Sequence, residues 1–243
     1  MNELLAEIRT EFDRLADPRA AESAQRFFKD QPIELRGVTS PQIQRIARDV
    51  YPRIKKLPAA DRDRLCTALW ASRKHEEGAL VCYVYRRFAK QCGAREFKLF
   101  TRWLDRYVDN WAHTDGLSLW LLGASIANDA TLIDKLDSGA AQRQSWTRSK
   151  NRWKRRAAAV ALVYSAKRGE HTRAILRIAA PLIEDEDDMV QKGVGWLLKE
   201  TYPKKPAEVV RFLIANRTKT TRLVLRYAAE KMTAADKARV LAR

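Results

Sequence analysis

An all-α chain, built from paired helices stacked into a solenoid, is the fold that three features of this sequence predict. Apolar residues recur at three- and four-residue spacing almost throughout, as in "LVCYVYRRFAKQ" and "RRAAAVALVYSAKR", while strictly alternating runs are scarce. Only nine glycines and eight prolines occur, so breaks are few, and Pro18, Pro41, Pro58 and Pro206 each sit where a helix can begin. Three late segments also repeat one another. "WKRRAAAVALVY" from Trp153, "MVQKGVGWLLKE" from Met189 and "LVLRYAAEKM" from Leu223 each place a basic residue three positions after an apolar one. Those basic residues, Arg156, Lys192 and Arg226, lie 36 and 34 residues apart, about one two-helix repeat. Ankyrin and tetratricopeptide signatures are missing, which leaves degenerate HEAT-like helix pairs over residues 1–243 as a single domain.

Taken in order, the elements carry their own start signals. "MNELLAEIRTEFDRLA" has helical spacing and lacks the continuous apolar block of a signal peptide. In "RGVTSPQIQRIARD", Thr39 or Ser40 precedes Pro41 and caps a helix whose free N–H groups suit a phosphate. In "DNWAHTDGLSLW", residues 109–120, Asn110 is the expected N-cap. Trp111 and Asp115 then share one face, four residues apart. The segment "RQSWTRSKNRWKRR", residues 143–156, carries Arg143, Arg148, Lys150, Arg152, Lys154, Arg155 and Arg156. Asn151 or Ser149 caps the helix that follows, and Trp146 and Trp153 belong in the core. The acidic run "EDEDD", residues 184–188, reads as a helix cap and solvated loop, without the spacing of a calcium loop.

Charge narrows the function. Forty-seven Lys and Arg against thirty Asp and Glu give a net charge of +17, which favours a polyanionic partner over an inert surface. The basic residues are spread over many helices, unlike those of a membrane-surface segment, and no stretch reaches the roughly 18 apolar residues of a membrane span. Cys66, Cys82 and Cys92 form no paired motif, and His75, His113 and His171 are far apart. A disulfide framework and a metal site are therefore not expected, nor is a cofactor. The expected setting is cytoplasmic, in association with the nucleoid. In a solenoid, Arg156, Lys192 and Arg226 at equivalent repeat positions are expected on one concave basic face.

"NWAHTDGLS", "NRWKRRAAAVAL" and "VQKGVGWLLKE", in that order, resemble the AlkD-like DNA alkylation repair family, and "GVTSPQIQRIARDV" is similar to its early repeat. The likeness runs from about Pro18 to Met232. It implies a HEAT-like DNA glycosylase, acting as a monomer on double-stranded DNA containing alkylated bases and excising cationic N3- and N7-alkylated purines. By motif it implies Asp115 as the catalytic carboxylate and Trp111 and Trp196 as aromatic contacts to the lesion nucleotide. Arg156 is then the contact to the adjoining backbone, and Thr39, Ser40 and Lys199 lie near phosphates. Arg148, Lys150, Arg152, Lys154, Lys192 and Arg226 complete the expected DNA-binding set. His113 and Thr114 depart from the family pattern, and Phe27 lacks the hydroxyl another aromatic would bring there. The alternative is a non-catalytic binder of branched or distorted nucleic acid on the same scaffold, and a third reading is a helical scaffold for an acidic protein.

Overall fold

The computed structural model describes residues 1–28, 33–137 and 145–242, and among them there is no strand. Arg143 of the basic segment lies outside the described residues. The first helices are α1 (Asn2–Arg14), α2 (Pro18–Gln25), α3 (Ser40–Lys56), α4 (Ala59–Ala71), α5 (His75–Tyr85) and α6 (Ala94–Tyr107). Next come α7 (Trp111–Gly116) and α8 (Gly123–Asn128), joined by a wide π-helical segment at Leu117–Leu122, then the short α9 (Ile133–Leu136). The C-terminal half holds α10 (Arg152–Val160), α11 (Val163–Arg168), α12 (Thr172–Leu182), α13 (Asp188–Thr201), α14 (Pro206–Ala215), α15 (Arg222–Ala228) and α16 (Ala234–Leu241).

The start signals lie where local chemistry requires them. Asp17 accepts hydrogen bonds from the N–H groups of Arg19 and Ala20, with Pro18 opening α2 where no N–H partner is needed. Pro206 opens α14, Pro41 is the second residue of α3, and Pro58 immediately precedes α4. The Gln42 side chain accepts from both the N–H and the hydroxyl of Thr39, closing the entry to α3. Asn151 caps α10 and Asp187 caps α13.

Helices α3, α5, α7, α10, α13 and α15 pack each against the next, forming one continuous layer. Helices α4, α6, α12, α14 and α16 back that layer, so the chain is an all-α helical-repeat array. The three recurring segments of the sequence are α10 with α11, α13, and α15, and they are neighbours in the first layer.

The core between the layers runs from Leu4 in α1 to Val240 in α16, with Trp70, Tyr85, Phe100 and Trp103 at its aromatic centre. Removing this apolar surface from water is the main favourable term in folding. Trp146 and Trp153 are buried as the sequence leads one to expect, at 4% and 6% exposure. The three cysteines are free and buried, and burial pushes the Cys92 thiol up to about 12. None of the described helices is long and apolar enough to cross a membrane.

Two buried carboxylates tie the N-terminal part to the site. Glu77, fully buried at the start of α5, receives Arg36 at 2.9 Å and Arg9 at 3.2 Å. Beside it, Glu76 Oε1 accepts from the backbone N–H groups of Arg36 and Gly37. These bonds pin the segment that leads into α3 and so place Ser40 against α5 and α7.

Candidate active site

The stretch at 109–120 forms the floor of a cleft. Asn110 Oδ1 accepts from the His113 N–H at 2.9 Å, which starts α7 where the sequence predicts. With α7 set in this way, Trp111 and Asp115 project together, one helical turn apart, into a cleft of about 340 Å3. Arg156 of α10, Lys192, Trp196 and Lys199 of α13, and Tyr227 of α15 complete its walls. Gly195 permits the close approach of α13 to α15: a Cβ there would stand 2.4 Å from the Cβ of Tyr227.

Asp115 is the chemical centre. Its carboxylate receives Arg156 Nε at Oδ1 and Arg156 Nη2 at Oδ2, both at 2.8 Å, a bidentate ion pair. The third nitrogen, Nη1, donates to the Met189 carbonyl. Arg156 is nearly buried, at 7% side-chain exposure, while Asp115 keeps 19%. The carboxylate is therefore held from one side and open to the cleft on the other. The family resemblance implies that Arg156 contacts the DNA backbone. In the folded chain it holds Asp115, across 41 residues of sequence.

Trp111 is half-buried and positioned on two sides. Its ring stacks on Phe28 with centroids 5.5 Å apart, and its Nε1–H donates to the Phe27 carbonyl at 3.3 Å. The Phe27 ring itself is 74% exposed at the lip of the cleft. Beneath lies a pair of imidazoles, His75 and His113, stacked with centroids 4.8 Å apart. His113 Nε2–H donates to the His75 carbonyl at 2.9 Å, and Asn110 Nδ2–H donates to His113 Nδ1 at 3.0 Å, which fixes the neutral ring with its proton on Nε2. Burial lowers His75 to about 4 and His113 to about 3, the latter also through its neighbour His75. The departure at His113 is thus a packing device that joins α5 to α7.

An adjoining cavity of about 250 Å3 shares Trp111, Asp115 and Trp196 with the cleft and reaches Ser40 and Tyr83. Immediately beyond Asp115 the helix widens into its π-helical segment, a form that often accompanies functional sites.

The remaining expected contacts divide into three groups. Lys192 and Lys199 line the cleft, with their ammonium groups on Asp188 at 2.7 Å and Glu230 at 2.8 Å. Arg148, Lys150 and Lys154 line a separate cavity of about 900 Å3 that shares no residue with the cleft. Lys154 precedes Arg156 by two positions, about 200° around the helix, and pairs with Asp105 at 2.8 Å on the far side. Arg152 pairs with Asp187 at 2.8 Å and covers the Trp153 ring. On α15, Tyr227 enters the cleft and Arg226 stays exposed outside it, one residue and about 100° away from the register that the repeat suggests. Thr39 remains an N-cap bonded to Gln42.

The acidic run is more than a solvated loop. Asp185 holds Arg155 through two bonds of 2.6 and 3.1 Å, Asp187 holds Arg152, and Asp188 holds Lys192. It neutralises two cations of the basic segment, Arg152 and Arg155. Sequence reasoning also missed Phe28, which no motif marks, and Met189 and Tyr227, which lie within the recurring segments but carry no charge to single them out.

Comparison with known proteins bears on the fold and the family. A solved structure described as a predicted DNA alkylation repair enzyme from Enterococcus faecalis has the same fold, with a TM-score of 0.77 at 15% identity over 90% of this chain and 97% of that one. No curated protein matches the chain. The sequence profile of the DNA alkylation repair enzymes matches residues 8–232, which takes in α3, α7, α10, α13 and α15 and every residue of the cleft. This chain belongs to the DNA alkylation repair enzyme family.

Proposed function

We propose that this protein is a monofunctional DNA N-glycosylase that excises cationic N3- and N7-alkylated purines from duplex DNA. One observation carries the reading: the Asp115 carboxylate shares its cleft with the indoles of Trp111 and Trp196, gripped by Arg156 and still accessible from the cleft. An N3- or N7-alkylated purine bears a positive charge and leaves as a neutral base, so little acid catalysis is needed. As the C1′–N bond breaks, its electron pair departs with the base and positive charge builds on the sugar. A fixed carboxylate stabilises that charge. Water then adds at C1′ and loses a proton, leaving an abasic site. The faces of Trp111 and Trp196 attract the cationic nucleotide, each worth about 0.5–2 kcal/mol.

In this reading Arg156 is a positioning residue that acts through Asp115, in place of the phosphate contact the family resemblance implies. Lys192 and Lys199 supply charge at the cleft wall. Both are tied to carboxylates, and neither is assigned as a Schiff-base nucleophile. Exposed ion pairs of this kind are worth about 0–1 kcal/mol, so an incoming phosphate displaces them at small cost.

The test is release of 7-methylguanine and 3-methyladenine from methylated duplex DNA. Asp115→Asn keeps the side-chain shape and is expected to lower the rate about 100-fold or more. Equal release by both proteins removes Asp115 from the chemistry. A second reading, a non-catalytic binder of branched or distorted nucleic acid, draws on the same ion pair, because Arg156 engages both Asp115 oxygens. Tight binding of undamaged branched DNA, with no base released from any alkylated substrate, favours it.

A further inference from the structure

A second basic surface lies beside the Asp115 cleft, and two of its four arginines are held differently. Between α3 and the end of α5, a groove of about 530 Å3 is lined by Arg45, Arg48, Arg86 and Arg87, with Gln44 and Tyr83. All four arginines are exposed; Arg45 pairs with Glu11 at 2.9 Å and Arg48 with Asp49 at 3.6 Å. The guanidinium of Arg86 lies 5.1 Å above the Trp120 ring, and that of Arg87 lies 5.1 Å above the Tyr51 ring. Among the described residues, neither makes an ion pair.

This is the reverse of the basic residues that stand out in the sequence. Arg152, Lys154, Lys192 and Lys199 each have a carboxylate partner. A phosphate that approaches them must break an existing pair. A guanidinium resting on an aromatic face has given up side-chain freedom but keeps its N–H donors free. It is prepared for bidentate bonds to phosphate oxygens.

The groove also leads to the site. Tyr83 lines both the groove and the cavity that contains Ser40, Trp111 and Asp115. The Tyr83 and Trp120 rings lie 5.2 Å apart, and Trp120 carries Arg86 on its face while lining that same cavity. An aromatic strip thus connects the arginines to the candidate carboxylate.

We infer that this arginine groove grips the phosphodiester backbone of the duplex flanking the reacting nucleotide, with Arg86 and Arg87 as its principal phosphate contacts. The inference rests on the DNA reading above and adds a location for the sequence-independent part of binding, in the N-terminal half of the chain.

The experiment measures the affinity of the full chain for a short undamaged duplex as salt is varied. Each neutralised phosphate contributes about 0.9 to the slope of log K against log salt. Arg86→Ala/Arg87→Ala is expected to reduce that slope by about 2 and to weaken binding roughly 30-fold at physiological salt. Lys154→Ala, which removes a cation already paired with Asp105, is expected to leave the slope unchanged. Arg86→Lys/Arg87→Lys keeps the charge and should retain the slope, which separates phosphate contact from packing. Thermal melts confirm that each variant folds. An unchanged slope in the double alanine variant, or an equal drop from Lys154→Ala alone, overturns the inference. Base release separates the two proposals. Wild-type release together with an unchanged slope removes the groove alone. Binding with the expected slopes but no release removes the glycosylase and leaves the groove. Failure of the wild type to bind DNA removes both.

Discussion

Arg156→Ala removes the group that holds the Asp115 carboxylate, and its cost follows from the geometry. Two charge-assisted hydrogen bonds of 2.8 Å are lost together. Breaking a fully buried ion pair from one side costs roughly 3–5 kcal/mol, because the remaining charge is left desolvated. Asp115 retains 19% exposure, and water entering from the cleft repays part of that penalty. The expected loss is therefore about 2–3 kcal/mol. Unfolding entropy of about 2.1 cal/mol/K per residue over 243 residues converts this into a fall in Tm of about 4–6 °C. Calorimetry or circular dichroism measures it. The double variant Asp115→Leu/Arg156→Leu is the companion experiment. An apolar pair of similar volume escapes the desolvation cost, so its melting should return close to wild type while base release stays absent. A Tm for Arg156→Ala within about 1 °C of wild type would show that the pair is not desolvated and refute the reasoning.

Two other predictions concern the packing beneath the site. His75 and His113 stay neutral in the fold, lowered to about 4 and about 3 from 6.5, while the unfolded chain takes up protons as pH falls through 6.5. Their contribution to stability is intact above the unfolded value and is lost on acidification. Urea unfolding should show about 2 kcal/mol lost per imidazole between pH 7.5 and pH 5, and stability that is flat over that window contradicts the assignment. Gly78→Ala would set a Cβ 2.7 Å from both Trp70 Cζ3 and His113 Nε2. The expected cost is about 1–3 kcal/mol, with a change in Trp111 fluorescence as α7 shifts, and a wild-type melt with unchanged emission argues against this coupling.

Local features of the candidate site were legible because they depend on neighbours a few positions apart. The Asn110 cap and the shared face of Trp111 and Asp115 follow from one helical turn. The burial of Trp146 and Trp153 follows from ring size and apolar surface. The order of the Trp111–Asp115, Arg156 and Lys192–Trp196 motifs pointed to the family over most of the chain. Charge density did not reveal which cations are paired within the fold. The 143–156 run has the densest cations, yet Arg152 and Arg155 are neutralised by the acidic loop, and Lys154 turns to Asp105. The recurrence at Arg226 was one residue from the side chain that enters the cleft, Tyr227. An offset of about 100° of helix rotation is invisible in a weak repeat.

The amino-acid order was enough to show that this chain is helical, where most of its helices begin, and that Trp111 and Asp115 share a face. Those properties arise from backbone sterics, capping and a period of 3.6 residues, all set by short stretches of chain. Long-range packing set the rest: that Arg156 holds Asp115, that the acidic loop pairs with Arg152 and Arg155, and that Arg86 and Arg87 rest on aromatic faces. Each depends on which helices stack side by side and how each is rotated. That is settled by the packing of the whole core, and no short stretch of the chain encodes it.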